Sequence, residues 1–180
     1  MPWSADQKPR TRRQILDAAA TLFTRHGFEG ASIDAVMSQA GLTRGAFYAH
    51  FSSEGELYAE ALGHAARTSV TRLKDVEPHE RVLDYLSDSH RRGDDVNCPL
   101  ACLVSDVAQQ DERVREAYTR LFAGFVTHCQ PAGEDRRRAL QRAVSMIGGM
   151  AIARTLNDDA LAEEVLAACR DLALGNIHDN

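Results

Sequence analysis

Three hydrogen-bonding side chains lie close together in one short segment: Arg44, Tyr48 and His50. The residues between them include three small ones: Gly45, Ala46 and Ala49. A helix of this composition can bring its backbone close to a partner while its longer side chains remain available to solvent. Such a surface suits the major groove of DNA. The segment therefore predicts a DNA-binding element.

A preceding short helix is predicted to position this segment. Ser32 can cap that helix, because its hydroxyl can accept a backbone N–H two or three residues further on. Ile33, Val36 and Met37 then recur at helical spacing and turn one apolar face toward a core. Gly41 can adopt the left-handed conformation that ends a helix.

A second short helix follows the turn. Thr43 is predicted to cap it, and Phe47 and Phe51, one helical turn apart, are predicted to point inward. Two short helices joined by a tight turn that contains glycine are typical of the helix-turn-helix motif.

An earlier helix is expected to support these two. Residues 1–10 are predicted to be a flexible basic lead, and Thr11 with Gln14 forms a capping-box pattern. The apolar periodicity that follows stops at Gly27. Arg12, near the start of this helix, is also a candidate contact to a DNA backbone.

The net charge of −5 is unevenly distributed. Of the 21 lysines and arginines, six lie in residues 1–53 together with four of the 26 acidic residues, and the other 15 and 22 follow. The positive charge is therefore concentrated beside the predicted helix-turn-helix, where the neutralisation of phosphates requires it.

The rest of the chain predicts further helices and almost no strand. Ser53 with Glu56 forms a second capping box, which starts a long helix ending at about Lys74. Later helices are predicted from Pro78, from Pro99, over 112–129, over 135–156 and after a cap at Asp158, with a polar break over 91–97. The expected fold is all-α, with a three-helix DNA-binding module in 1–53 and a helical ligand-binding and dimerisation domain in 54–180.

The last two predicted helices are unusually apolar, and a helix that is apolar most of the way round must be buried on more than one side. Gly148 and Gly149 would each cost helix stability, roughly 1 kcal/mol relative to alanine. Close approach of a second helix would offset that cost, and a ligand-shaped gap would also explain the two glycines. We expect a homodimer formed through residues of about 135–175, which would bind a palindromic DNA site.

Cys98 and Cys102 lie one helical turn apart, with Cys98 near a helix N-terminus that favours the thiolate. This spacing suggests a sensor of oxidants or electrophiles. Two alternatives remain open, a pair of small buried residues and a metal site with His90 as a third ligand.

The N-terminal residues lack the apolar stretch of a signal peptide, and no apolar run is long enough for a membrane span. We therefore expect reduced cysteines, a cytoplasmic location and no membrane partner. No cofactor is predicted.

The sequence resembles the tetracycline-repressor (TetR) family of bacterial transcriptional regulators. The resemblance covers about residues 11–62 and is carried by Ile-Leu-Asp-Ala-Ala-Ala-Thr-Leu-Phe at 15–23, Gly27-Phe28, the helix from Ser32 to Gly41, and Leu42 to Phe51 with its Tyr-x-His-Phe element. It implies an all-α homodimer with an N-terminal DNA-binding domain and a C-terminal ligand domain, usually a repressor released from its operator by a small molecule.

Position by position, the resemblance implies that Thr43, Tyr48 and His50 contact phosphates while Arg44, Gly45 and Ala46 face base edges. Arg44 suits the O6 and N7 acceptors of guanine. Alternative roles are a phosphate contact or a solvated charge for Arg44, a cover of the core for Tyr48, and packing or capping for His50. Arg12 and Ser32 complete the DNA-binding candidates. Glu54 stands where the family often has lysine, so one phosphate contact is expected to be missing.

The residues that could contact an effector come from the C-terminal helices, and most of them are also ordinary core residues: Tyr85, His90, Cys98, Cys102, Tyr118, Phe122, Phe125, His128, Met146 and Met150. The leading hypothesis is a regulator in which an unidentified small molecule tilts the fourth helix and weakens operator binding. Two alternatives are an architectural or interaction protein without an inducer, and an enzyme with Cys98 as nucleophile and His90 as base.

Overall fold

The computed structural model describes residues 7–72, 76–93 and 97–175. These residues contain no strand and confirm the prediction of an all-α fold. The helices are α1 (Gln7–Gly30), α2 (Ile33–Gln39), a 3₁₀ helix (Arg44–Ala49), α3 (Glu54–Arg72), α4 (Pro78–Tyr85), α5 (Asp88–Arg92), α6 (Pro99–Cys102), α7 (Val104–Ala108), α8 (Glu112–His128), α9 (Arg136–Thr155) and α10 (Asp159–Leu174). Across the described ranges, no helix has both the length and the apolarity that a membrane span requires.

The chain forms two compact units, and each combines segments that are separated in sequence. The first unit comprises Met1–Thr68 and Asn97–Thr119, and the second comprises Ser69–Val96 and Arg120–Asn180. The sequence-based division after residue 53 instead follows chain order. It stays a prediction about function, whereas the units reflect which segments pack together.

The core of the first unit contains a cluster of three aromatic rings. Phe23 and Phe28 are 1% and 2% exposed, and their ring centroids are 5.3 Å apart. Tyr58 of α3 meets the ring of Phe23 edge-on at 5.0 Å and stacks on that of Phe28 at 4.4 Å. Rings in such arrangements add to the stabilisation that burial provides. The cluster fixes α1 against α3.

Gly27 ends the regular part of α1, as predicted, because its φ of +74° is a conformation that favours glycine. The next residue, Phe28, donates its backbone N–H to Oδ2 of Asp106 at 2.8 Å. The helix start differs from the prediction. Gln7 is already helical, and Thr11 is 5% exposed within the helix, so Thr11 is not the cap. Pro9 is compatible with a first helical turn.

In the second unit, α9 and α10 approach each other closely at Gly149. A Cβ atom at this position would lie 2.9 Å from Cβ of Cys169 and even closer to its sulfur. Close approach of helices therefore accounts for Gly149. The predicted cap of α10 is confirmed, because Asp158 accepts the backbone N–H groups of Ala160 and Leu161 at 2.9 and 3.2 Å.

In the middle of the chain, two predicted helix boundaries differ from the structure and a third lies outside the described residues. The helix expected from Pro99 is two short helices, because Leu103 interrupts the regular conformation with φ −117° and ψ 12°. The polar break expected over 91–97 begins later, since α5 continues to Arg92 and ends at Gly93 with a left-handed φ of 77°. The predicted end of the long helix at Lys74 lies outside the described residues.

Candidate nucleic-acid interface

The 3₁₀ helix Arg44–Ala49, called here the recognition segment, rests on two buried aromatic rings. Phe47 and Phe51 are each 2% exposed, and their rings stack with centroids 5.6 Å apart. Both side chains point inward, as predicted. Gly41, with φ +71°, provides the predicted turn after α2. The buried pair therefore holds the segment on the first unit and leaves its other side to solvent.

The recognition segment is not the capped α-helix that the sequence suggested. Thr43 occupies the position before it with extended backbone, but its hydroxyl makes no capping hydrogen bond. The N–H of Ala46 donates instead to the carbonyl of Thr43 at 3.0 Å, the tighter bond of a 3₁₀ turn. Thr43 is exposed, so its hydroxyl stays available to a partner.

Tyr48 has the most exposed of the large apolar side chains among the described residues, at 70%. Its ring meets that of Phe47 edge-on at 5.1 Å, which orients it without covering it. The alternative that Tyr48 covers the core is therefore not supported. Exposed aromatic surface beside a phenol hydroxyl suits contact with a partner.

The small residues of the segment leave room for such a partner. A Cβ atom at Gly45 would meet nothing nearer than the hydroxyl of Thr43, at 4.0 Å. Nothing in the described chain therefore requires glycine here, although glycine weakens a helix by roughly 1 kcal/mol relative to alanine. Close approach of another molecule would explain it.

Arg44 forms an ion pair with Asp34 of α2. Nη1 of Arg44 lies 2.6 Å from Oδ2 of Asp34, and the two side chains are 60% and 59% exposed. Such exposed pairs contribute only about 0–1 kcal/mol. A phosphate or a base edge can therefore replace Asp34 as the partner of Arg44 at little cost.

Ser32 acts as the predicted cap of α2, since its Oγ accepts the N–H of Ala35 at 3.2 Å. Its contact with DNA stays a prediction. His50 is less available than expected, because it is half-buried and its Nδ1 has no hydrogen-bond partner among the described residues. Burial, followed by the charges of Lys8 and Arg12, lowers the pKa of His50. The imidazole is therefore neutral near pH 7, and any contact with phosphate would use a neutral N–H.

Arg12 is held by contacts within the first unit. Its guanidinium lies 4.1 Å above the ring of Phe51 and donates to the backbone carbonyl of His50 at 2.5 Å. It also pairs with Glu56 at 3.3 Å and with Glu60 at 2.5 Å, both in α3. Direct contact of Arg12 with DNA stays a prediction. The geometry gives Arg12 a positioning role, because it joins α1, the end of the recognition segment and α3.

The capping box at the start of α3 forms with a shift of one residue. The N–H of Glu56 donates to Oγ of Ser53 at 3.1 Å, as predicted, but the carboxylate of Glu56 accepts the N–H of Ser52 at 2.7 Å. Hydrogen bonds from Ser52 lower the pKa of Glu56. The capping box fixes α3 directly behind the recognition segment.

Sequence reasoning missed Lys8 as a member of this surface. The sequence predicts that Lys8 belongs to a flexible lead, but Lys8 lies in α1 and is exposed. Its charge is close enough to His50 to lower the pKa of the imidazole. Pro9 was the available signal, because proline is favoured in the first turn of a helix.

Comparison with known proteins agrees with this geometry. Residues 15–61, which include α2 and the recognition segment, match the family described as "Bacterial regulatory proteins, tetR family". These residues belong to this family. One relative of the chain, the uncharacterised HTH-type transcriptional regulator YfiR of Bacillus subtilis (strain 168), is 27% identical over 128 residues. That match covers 67% of this chain and 62% of YfiR.

Solved structures extend the likeness in fold over almost the whole chain. A TetR-family regulator from Cytophaga hutchinsonii superposes with a TM-score of 0.74 at 18% identity, covering 97% of this chain and 98% of that one. The reduced form of NemR from E. coli gives a TM-score of 0.73 at 17% identity, covering 92% and 96%. At these identities the likeness concerns the fold alone.

The predicted effector residues are divided between the two units. Cys98, Cys102 and Tyr118 lie in the first unit. In the second unit, Tyr85, Phe125, His128 and Met146 line a cavity of about 250 Å³. The structure therefore brings together four of the ten residues that the sequence proposed.

The remaining candidates in the second unit have packing roles. Nδ1 of His90 is 2.6 Å from the backbone carbonyl of Tyr85, and the two rings meet edge-on. Phe122 packs against the buried cluster around Val126, and Met150 is fully buried. Two arginines that line the cavity, Arg81 and Arg142, were missed, because nothing in their sequence neighbourhood marks them as facing inward.

The cysteine pair lies at a helix of only four residues. Cys98 precedes α6 and is 9% exposed, whereas Cys102 is half-buried. Tyr118 donates its hydroxyl to the carbonyl of Leu100 at 2.7 Å, and burial raises the pKa of Tyr118 to about 12. Among the described residues, no three His, Cys, Asp or Glu side chains are grouped so as to hold a metal ion.

Two interpretations of the cysteines are thereby changed. The metal site with His90 finds no support in the described part of the chain. The enzyme hypothesis is not retained, because the family and the relative that match this chain are regulatory proteins.

Proposed function

We propose that this tetR-family protein is a DNA-binding transcriptional regulator, a repressor that a small molecule releases from its operator. The observation that carries the proposal is the recognition segment. Its inner side is fixed by buried Phe47 and Phe51, while Arg44 and Tyr48 are 60% and 70% exposed on the outside. Rigid support beneath exposed donors is what recognition of base edges and phosphates requires.

Within the segment, the long donor and the small residues have different roles. Arg44 exchanges Asp34 for a guanine edge, and Gly45 and Ala46 allow the backbone to approach the bases. Thr43 and Tyr48 bind phosphates and set the register of the protein on the duplex. Such a protein acts in the cytoplasm, where the bacterial chromosome lies.

We further propose a homodimer through α9 and α10. Val144 and Ile152 of α9 are 58% and 54% exposed, and both lie four residues from Gly148. A Cβ atom at Gly148 would meet nothing within 4 Å in the described chain, so the chain itself does not explain this glycine. Leu172 of α10 adds a further side chain that is 55% exposed. A partner copy covering these residues would give the two-fold symmetry that a palindromic operator matches.

The effector site is proposed to lie in the second unit. Its cavity of about 250 Å³ supports a ligand-responsive regulator over an architectural protein with a filled core. α3 begins in the first unit and continues into the second, so a ligand that favours one position of α3 changes the affinity for DNA.

A second candidate effector is an oxidant or electrophile that reacts with Cys98 and Cys102. The half-buried thiol of Cys102 supports it, because reactive cysteines are accessible, whereas the burial of Cys98 weighs against it. Replacing both residues by serine should abolish release of DNA by diamide if this candidate is correct.

The test of DNA binding uses a duplex from the region upstream of the protein's own gene, followed by selection from random duplexes if that duplex fails. Arg44→Ala should relax the sequence preference, and Tyr48→Ala should weaken all sequences alike. Arg113→Ala, which removes an equal charge from the exposed start of α8, is the matched control. If no duplex binds more tightly than random DNA, the proposal is wrong.

A further inference from the structure

The cavity of the second unit is lined by two kinds of side chain. Val82, Tyr85 and Met146 line it and are 5%, 6% and 2% exposed, so its buried surface is apolar and aromatic. Basic side chains of α4, α8 and α9 also line it: His79, Arg81, His128 and Arg142. The described residues that line it include no aspartate or glutamate.

Both arginines of the cavity are held by hydrogen bonds. Arg142 makes a two-pronged ion pair with Glu134 at 2.6 and 2.7 Å and donates to the backbone carbonyls of Cys129 and Ala173. Its charge is therefore compensated and its position is fixed by the fold. Arg81 donates from Nε to the carbonyl of Val76 and from Nη1 to Nε2 of His128, each at 2.6 Å.

The contact between Arg81 and His128 defines the protonation state of the histidine. A guanidinium can only donate, so Nε2 of His128 accepts and the imidazole is neutral with its proton on Nδ1. Partial burial and the neighbouring charge of Arg81 lower the pKa of His128, which agrees with that state. The cavity lining therefore presents a cation beside a neutral histidine, together with apolar side chains.

We infer that the effector of this regulator is a small carboxylic acid with an apolar or aromatic body, bound in the cavity of the second unit with its carboxylate at Arg81. The body of the acid lies on Val82, Tyr85 and Met146. Hydrogen bonds from a guanidinium to a carboxylate are among the stronger ones, so the acid is favoured over an uncharged analogue of the same shape.

The size of the cavity limits the ligand. Its volume of about 250 Å³ lies just below the range of about 300–1,000 Å³ that is usual for small-molecule sites. A single aromatic ring with a short acid side chain is a ligand from the small end of that range. The inference rests on the proposed function only where it expects the acid to release DNA. Binding of the acid to the cavity is measured without DNA.

The experiment is isothermal titration calorimetry of the full chain with benzoate, phenylacetate and 3-phenylpropanoate, each against its amide. At least one acid should bind about tenfold or more tightly than its amide, the ratio expected for hydrogen bonds to a charged group. Arg81→Gln should bring that ratio close to one, and Arg81→Lys should retain part of it. Arg92→Gln is the matched control, because Arg92 is 53% exposed in the same unit and does not line the cavity.

Equal binding of acid and amide by the wild-type chain, or no heat from any of the three acids, would overturn the inference. So would an acid preference that persists in a folded Arg81→Gln. If circular dichroism shows that Arg81→Gln does not fold, the ratio of acid to amide affinity in the wild type and in Arg81→Lys still tests the inference. Intact DNA binding without acid binding refutes this inference alone, whereas acid binding without any DNA binding refutes the proposed function alone.

Discussion

Two arginine–carboxylate pairs, one in each unit, have nearly the same length and very different surroundings. Arg44 lies 2.6 Å from Asp34, with both side chains about 60% exposed. Arg142 lies 2.6 Å from Glu134, but these side chains are only 19% and 15% exposed. The same chemical pair is thus exposed to solvent beside the recognition segment and largely enclosed beside the cavity.

The difference shows how surroundings decide what an ion pair does. An exposed pair contributes about 0–1 kcal/mol, so Arg44 remains free to exchange its partner. When one member of an enclosed pair is removed, the other is left as an uncompensated charge. Arg142 therefore belongs to the structure of the second unit, while Arg44 belongs to the binding surface of the first.

The largest expected effect separates the two arginines by stability. Arg142→Gln should lower the free energy of unfolding by about 2–4 kcal/mol, somewhat less than for a fully buried pair, whereas Arg44→Gln should change it by less than about 1 kcal/mol. Urea denaturation at one fixed protein concentration measures both. Equal losses in the two variants would contradict the comparison.

Arg12 lies between these extremes, since its side chain is 28% exposed and it pairs with two glutamates. Arg12→Met should lower the free energy of unfolding by about 1–3 kcal/mol, the range for hydrogen bonds to charged groups. Arg13→Met, at the exposed neighbouring position, is the control. DNA affinity should also fall, with the salt dependence of binding unchanged. A salt slope reduced by about one would instead reveal a direct phosphate contact.

The enclosed pair should also respond to pH. Hydrogen bonds from Arg142 lower the pKa of Glu134. Because the folded value lies below the unfolded one, the stabilisation is present above about pH 4.3 and is lost as the pH falls through the folded value. The urea midpoint of the wild type should therefore fall more steeply below that pH than the midpoint of Glu134→Gln. Glu164→Gln, which removes an exposed carboxylate from α10, should behave like the wild type.

The smallest expected effect concerns the exposed pair itself. Asp34→Asn releases Arg44 and removes a negative charge beside the recognition segment, so affinity for duplex DNA should rise about two- to fivefold. Asp84→Asn, an equal change of charge at an exposed position of α4, is the control. Titrations by fluorescence anisotropy would detect the change. An unchanged affinity would mean that Asp34 does not restrain Arg44.

The sequence predicted those features that depend on neighbours within one helical turn. The caps at Ser32 and Asp158 and the turn at Gly41 are present as expected. The inward placement of Phe47 and Phe51 followed from their spacing. These features hold because a cap or a helical face is set by residues at most four positions apart.

Several local predictions failed where the wider structure overrode them. Thr11 carries a capping pattern, yet it is buried within a helix that begins before it. Thr43 precedes a 3₁₀ helix, which it does not cap with its hydroxyl. In both cases packing against the rest of the first unit decided the conformation, and propensity is a weak preference by comparison.

By itself, the sequence determined that this chain is helical and where several of its helices begin, and it predicted a DNA-binding module in residues 1–53. Only the tertiary structure decided that Arg12 positions the recognition segment, that Arg44 forms an ion pair with Asp34, and that Arg81 and Arg142 line one cavity. The reason is distance along the chain. Arg12 meets residues 38 to 48 positions away, and no short-range pattern specifies which side chains will meet once the helices pack.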